Sequence, residues 1–376
     1  MKLINKNNLE EKFEISIDSI ASYMIDKGLV KSKSIVDSDL IVSDLSRKNR
    51  NFTIVSENST SYFLKQPYVT DEYSIETINR ESKFYSKTFS SKKFSKIQEI
   101  IPKFIEFDSK NNILITKFIS NYQKNNEKEI LFAEQMSALG KSLGMFHSFT
   151  SKKMIHSEFD FLPKSFPPTI LISHPSPELF SLMGLGSLQF LKDIQQNKIL
   201  FRFLVDIEKI WCVETIIHGD LKFDNVIFTT SETKKDPELK LLDWELVNRG
   251  DPAWDIGTIL FGFLYSHLFG EDFLKNFKVN ENFDQVKSLI QTIGLDFKVL
   301  WKVYQKEMKQ TKLIDKTFLD RAIKYATAKL IQSSFDSLQE EVESSDRELI
   351  NIKISETLIK NIDLIKHILI NHGDSK

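Results

Sequence analysis

The spacing of apolar positions separates the chain into a β-rich first third and a helical remainder. Ile17, Ile20, Ala21 and Met24 recur at helix spacing over Ile17 to Lys27, and Gly28 ends the pattern. Leu40 to Val55 and Tyr62 to Leu64 read as short β-branched strands broken by Asn, Ser and Thr. From Ile75 to Phe89 the apolar residues Ile75, Ile78, Phe84 and Tyr85 share one side of a charged segment, the pattern of one amphipathic helix. Pro102 to Phe107 and Ile113 to Ile119 are apolar runs joined by Asp108-Ser109-Lys110-Asn111-Asn112, a turn composition that predicts a hairpin.

From Lys128 the period is helical, through Leu131, Met136, Leu139, Leu143 and Phe146. Five prolines between Phe161 and Pro177 exclude a regular helix there, so an ordered excursion over the helical part is expected. Helix is expected again from Leu185 to Trp211. Two strands, Asn225 to Phe228 and Leu239 to Leu242, flank a polar turn at Ser231 to Pro237, and helical pattern runs from Thr258 to about Ile370. The fold class expected is α+β. An N-lobe over residues 1–119, with a helical extension at 1–38, precedes a helical C-lobe over 120–376.

Charge and composition narrow the chemistry. With 51 Lys+Arg against 52 Asp+Glu there is no whole-protein cationic field, which argues against a nucleic-acid coat or a polybasic membrane binder. Only 7 of those 51 are Arg, so 44 are Lys, and most are read as solvated. Cys212 is the single cysteine and has no internal disulfide partner; its apolar setting reads as a core thiol. The first 31 residues mix charged and apolar positions without a leader-like apolar run, and no segment approaches the length of a bilayer span, so the cytoplasm is the expected location.

The chemistry concentrates in Ile216-Ile217-His218-Gly219-Asp220-Leu221-Lys222-Phe223-Asp224-Asn225, followed by Leu242-Asp243-Trp244-Glu245. Phosphoryl transfer needs a carboxylate beside the attacking hydroxyl and hard oxygen ligands for Mg²⁺. Asp220 suits the first role, and Asn225 and Asp243 suit the second. A short loop from 220 to 225 and a hairpin leading to 243 are able to converge them.

These residues resemble the aminoglycoside phosphotransferase and choline kinase-like branch of the protein-kinase-like fold. The resemblance lies in His-x-Asp-x-x-x-x-Asn at His218, Asp220 and Asn225, in Asp243 with Glu245, and in Gly-Asp-Pro-x-x-Asp at Gly250, Asp251, Pro252 and Asp255. Upstream, Leu139-Gly140 through Leu143 to His147 is similar to that family's Leu-Gly-x-x-Leu-x-x-x-His helix. It implies a small antiparallel-sheet N-lobe with one main helix, a larger helical C-lobe, and ATP and Mg²⁺ as cofactors. It further implies that Asp220 orients or deprotonates a substrate hydroxyl, that Asn225 and Asp243 hold Mg²⁺, that Asp255 braces the loop, and that Lys222 reaches the γ-phosphate. For His218 a loop-pinning hydrogen-bonding role is preferred over proton transfer.

In the first lobe, Lys65 sits inside the apolar run Tyr62-Phe63-Leu64-Lys65, where an ammonium needs a partner. The kinase arrangement supplies a helix glutamate and nucleotide phosphates. Glu81 is the preferred glutamate and Glu76 its competitor. Lys117-Phe118-Ile119 is the expected adenine-pairing hinge. The turn Ser56-Glu57-Asn58-Ser59-Thr60-Ser61 lacks glycine, so modest nucleotide affinity is expected.

Only seven residues separate Asp243 from Asp251, too few for a peptide-seating activation segment. The expected acceptor is therefore a small molecule with a hydroxyl, with neither nucleic acid nor membrane as partner. Nothing in the sequence marks the strongly acidic cleft that an aminoglycoside would want. Two alternatives stand beside it. One is a Ser/Thr kinase of a peptide natural-product precursor, on a resemblance at Ser46 to Phe52 and His174 to Pro177; the other is a pseudokinase-type nucleotide-binding module, on the missing glycines.

Overall fold

The structure is a computed structural model and describes residues 13–36, 39–56, 59–120, 122–123, 133–167, 175, 180, 183–229, 238–268, 273, 276–277, 282–338 and 346–371. The expected helix start at Lys128 to Leu131, residues 57–58 of the glycine-free turn, the 231–237 turn and most of the 168–177 stretch lie outside these residues. Residues 1–122 and 123–376 form two compact units, three residues beyond the expected division.

The first unit is built on a five-stranded antiparallel sheet of β1 (Leu40–Asp44), β2 (Arg50–Ser56), β3 (Tyr62–Gln66), β4 (Phe104–Asp108) and β5 (Ile113–Lys117), ordered β1-β2-β3-β5-β4. Side chains alternate across β3. Leu64 points into an apolar cluster with Phe52, Ile54, Ile113 and Ile115, covered by Ile20 and Met24 of α1 (Ile17–Asp26). Of the expected helical extension, α1 is thus part of the core. Gly28, at φ +69°, turns the chain out of α1 as the sequence predicts. Lys65 pairs across the sheet with Asn51 and Leu114 and reaches α2 (Glu72–Phe89). That helix begins three residues before the expected Ile75, because the Asp71 side chain accepts the Ser74 N–H at 3.1 Å and caps it.

The second unit contains α3 (Ala133–Thr150), α4 (Leu185–Gln196), α5 (Lys198–Asp206), β6 (Thr215–Ile217), β7 (Val226–Thr229), β8 (Glu238–Leu241), β9 (Asn248–Gly250), α6 (Pro252–Leu268), α7 (Asn282–Met308), α8 (Phe318–Ser337), α9 (Asp346–Lys360) and α10 (Ile362–Asn371). Helix does not run unbroken from Leu185 to Trp211. Asn197 leaves helical geometry and its side-chain oxygen caps α5 by accepting from Ile199 and Leu200. Two strands had no signal of their own: β6 and β9, three residues each, pair antiparallel, while β7 and β8 form the expected hairpin.

Two glycines let α3 and α7 cross closely. A Cβ on Gly140 would stand 2.4 Å from the Leu300 carbonyl oxygen, and one on Gly144 2.8 Å from Glu307 Cβ, so α3 and α7 touch backbone to backbone. Among the described residues no helix is long and apolar enough to cross a membrane.

Candidate active site

The loop after β6 owes its shape to buried polar bonds. Asp255, in the first turn of α6 and fully buried, accepts the backbone N–H groups of His218 at 2.8 Å and Gly219 at 3.1 Å. His147 Nε2 gives it a third bond at 3.2 Å, and Tyr304 of α7 donates to His147 Nδ1 at 2.9 Å. Gly219 is at φ +87°, and a Cβ there would lie 2.3 Å from the Leu246 carbonyl oxygen, so this turn requires glycine. Trp254 closes it by donating Nε1–H to the Gly219 carbonyl at 2.8 Å.

His218 is fully buried, and its Nε2 lies 2.8 Å from the Leu242 carbonyl oxygen, which only accepts. Nε2 therefore carries the proton and Nδ1 accepts the Asp220 N–H at 3.3 Å. Both nitrogens are committed to the loop. The geometry suits the pinning role and leaves no nitrogen for proton transfer.

The Asp220 carboxylate stands between two lysines, with Lys329 Nζ 3.1 Å from Oδ1 and Lys222 Nζ 3.4 Å from Oδ2. Burial by itself would raise this carboxyl, but the charges of Lys329 and Lys222 outweigh it and hold it well below the usual carboxylate range. Lys222 is raised in turn, chiefly by Asp220 and further by Asp243. Lys329 went unremarked in the sequence. It belongs to α8, is nearly buried, and rests with Nζ 5.6 Å from the Trp254 ring centroid.

Asn225 and Asp243 stand at one end of the β7–β8 hairpin. Val226 pairs with Leu241, and Leu242 donates its N–H to the Asn225 carbonyl at 2.8 Å. The Asn225 amide nitrogen donates to the Asp220 carbonyl at 2.8 Å, which assigns its oxygen as the atom available to a cation. Asp243 follows in left-handed backbone geometry, φ 59° and ψ 67°. An amide oxygen and a carboxylate on one hairpin end are a hard donor set suited to Mg²⁺.

The neighbouring motif residues also have partners. Asp251 accepts from Arg321 Nε at 2.7 Å, from Tyr325 at 3.0 Å and from the Ala253 N–H at 2.9 Å, which ties α8 to the start of α6. Cys212, Glu214 and Asp251 bring donor atoms within 4.8 Å of one another, but Asp251 is spent on Arg321 and Tyr325. Cys212 is half-buried rather than in the core; burial first, then Asp251 and Glu214, push its thiol up and leave it unreactive. The proline-interrupted segment is fastened where described. Its carbonyls at Pro163, Lys164 and Ser165 accept from Arg249 N, Trp211 Nε1 and Asn248 Nδ2, and Phe166 packs edge-on against Trp211 and Trp254.

In the first unit Lys65 Nζ lies 3.0 Å from Glu81, both side chains buried, whereas Glu76 faces solvent and bonds Arg80. The choice between the two glutamates falls on Glu81. At the expected hinge, the Lys117 N–H is spent on the Lys103 carbonyl and the Phe118 N–H on the Ser61 carbonyl, at 2.8 and 2.9 Å. Of those three residues, that leaves Ile119 as the backbone donor a base would use.

Residues 181–286 match the model of the phosphotransferase enzyme family, a stretch that includes the loop, Asp243 and Asp255. No curated protein matches the chain by sequence. Among solved structures, the chain is similar to ethanolamine kinase from Plasmodium vivax, with TM-score 0.55 and 17% identity over 90% of this chain and 88% of that one. It is also similar to choline kinase from Cryptosporidium parvum, with TM-score 0.53 and 13% identity over 95% and 99%. A third is the GDP complex of aminoglycoside 2'-phosphotransferase-IIIa, with TM-score 0.50 and 14% identity over 90% and 99%. The fold is therefore the protein-kinase-like fold, and the resemblance read from the motifs to the aminoglycoside phosphotransferase and choline kinase-like family is borne out.

Proposed function

We propose that the protein is an ATP-dependent phosphotransferase that moves the γ-phosphate to a hydroxyl of a small molecule. The observation that carries this reading is the Asp220 carboxylate, presented on a loop whose backbone is held by Asp255 and whose amide partner Asn225 shares a hairpin end with Asp243. In this reading Asp220 accepts a hydrogen bond from the acceptor hydroxyl and aims its oxygen at phosphorus. A carboxylate held so far down is a weak base. It takes the proton late, when bonding to phosphorus has already made the hydroxyl acidic, in keeping with a loose transition state.

Lys222 spans from Asp220 toward Asp243 electrostatically and is suited to offset charge gathering on the transferred group. Asn225 and Asp243 would hold Mg²⁺, which when bound neutralises phosphate charge. Lys65, braced by Glu81, would hold the α- and β-phosphates, and Ile119 would pair with the base.

The same geometry disfavours a peptide acceptor. Between Asp243 and Asp251 the chain forms a 3₁₀ turn at Trp244–Leu246 and the strand β9, and Trp244, Val247, Asn248, Arg249 and Gly250 are buried. No exposed platform for a peptide exists in that segment. The test is transfer of labelled phosphate from ATP to a panel of polyols, sugars, amino alcohols, nucleosides and Ser-containing peptides. A small-molecule product that is lost in Asp220→Asn and Asp243→Ala supports the reading. A phosphorylated peptide as sole product, or full transfer by Asp220→Asn, refutes it.

A further inference from the structure

Resting on the reading of Asp220 as the residue that receives the acceptor hydroxyl, we infer that Lys329 sets acceptor specificity: it excludes hydroxyl compounds with a positive charge beside the reacting hydroxyl and selects neutral or anionic ones. Three observations support this. Lys329 Nζ lies 3.1 Å from Asp220 Oδ1, so a hydroxyl bonded to that same oxygen sits within about 6 Å of the ammonium at most. Lys222 covers the other carboxylate oxygen at 3.4 Å, so neither oxygen is left as an uncompensated anion for a substrate amine. Finally, Lys329 lies over the fully buried Trp254 ring, a contact that keeps its ammonium charged and fixed beside the carboxylate.

Lys329 is also well anchored. It follows Arg321 and Tyr325 at four-residue intervals on α8, and those two grip Asp251 beside the loop. With its side chain only 9% exposed, it has little room to swing away when an acceptor arrives. One ammonium proton is given to Asp220. The other two remain to bond an oxygen on the acceptor, which is what a polyol, a sugar or a hydroxy acid offers and an ammonium group does not.

At about 5 Å and an effective dielectric near 20, repulsion between two unit positive charges corresponds to roughly a hundredfold or more in relative rate. The experiment measures kcat/KM for a polyol, a hydroxy acid and ethanolamine or choline, with wild type and with Lys329→Met, Lys329→Gln and Lys329→Arg, each checked by thermal melting. Mg²⁺-dependent ATP binding is measured in parallel by calorimetry. The expected result is that wild type favours the uncharged or anionic acceptor, that Met and Gln shift the ratio toward the amino alcohol by about a hundredfold, and that Arg keeps the wild-type preference. Asp336, two turns along α8 and within electrostatic range of both Lys329 and Asp220, supplies the competing arm.

The inference is overturned if wild type uses the amino alcohol best. It is equally overturned if Lys329→Met slows all acceptors alike, or if Asp336→Asn and not Lys329→Met moves the ratio. In those cases transfer itself persists and the phosphotransferase reading stands. Absence of both Mg²⁺-dependent ATP binding and transfer to any acceptor in the wild type would overturn both.

Discussion

Replacing Asp255 by Asn isolates the brace beneath the loop, because the amide matches the carboxylate in shape but keeps only one accepting oxygen. In the native protein Oδ2 takes the His218 N–H and the His147 ring, and Oδ1 takes the Gly219 N–H. Any orientation of the amide sets its NH₂ against at least one of these buried donors. One charge-assisted bond is lost, about 1.5–3 kcal/mol, and one donor is left unsatisfied, about 1–3 kcal/mol more. A total near 4 kcal/mol lowers the melting temperature of a unit of this size by about 8–16 °C. Asp220 is one residue from Gly219, so a displacement of about 1 Å there costs roughly a hundredfold in turnover. Calorimetric melting, and initial rates measured well below the variant's midpoint, read the two effects separately. A variant that melts within about 2 °C of wild type and turns over normally would show that Asp255 does not hold the loop.

Two further predictions follow from buried charge. Lys65→Met and Glu81→Gln each break a buried 3.0 Å ion pair and should lower both melting temperature and ATP affinity, and Lys65→Met combined with Glu81→Gln should lose less than the sum of the two single losses by about 0.5–3 kcal/mol; strictly additive losses in the double variant would contradict this. For pH, burial would raise the Asp108 carboxyl, but hydrogen bonds from Asn111 and Tyr23 and the charge of Lys27 hold it below the ordinary value. Its stabilisation is therefore present above about pH 4 and is lost as pH falls toward the folded-state value. Asp108→Asn should melt lower than wild type at pH 7, by the equivalent of about 2 kcal/mol, with the gap closing below pH 4; a gap that widens in acid refutes the sign.

The grouping of Asp220, Asn225 and Asp243 was legible in sequence because a short loop from 220 to 225 and a hairpin leading to 243 are enough to bring them to one place. Lys65 was legible because it closes the apolar run Tyr62-Phe63-Leu64, where an ammonium needs a partner. Glu81 against Glu76 needed the helix placed on the sheet before it resolved. Lys329 was hidden for a different reason: 44 lysines make any one unremarkable, and its partner lies 109 residues away with no local pattern to join them. The strands β6 and β9 were missed because three residues show neither alternation nor a turn between them; only the fold brings Ile217 and Asn248 together. His147 could be matched to a motif, but its bond to Asp255 appears only once α3 and α6 are packed.

If the proposed phosphotransferase reading holds, the backbone contact between α3 and α7 carries the accuracy of the loop at 218–225 a long way from where it is used. Gly140 and Gly144 let the two helices nest, nesting brings Tyr304 up to His147, and His147 steadies Asp255. A methyl group added at either glycine would act as a wedge, felt several side chains away as a slackened aim at phosphorus. Random mutagenesis that selects for turnover should therefore return second-site revertants on α7 around Leu300 and Tyr304, far in sequence from the loop they repair.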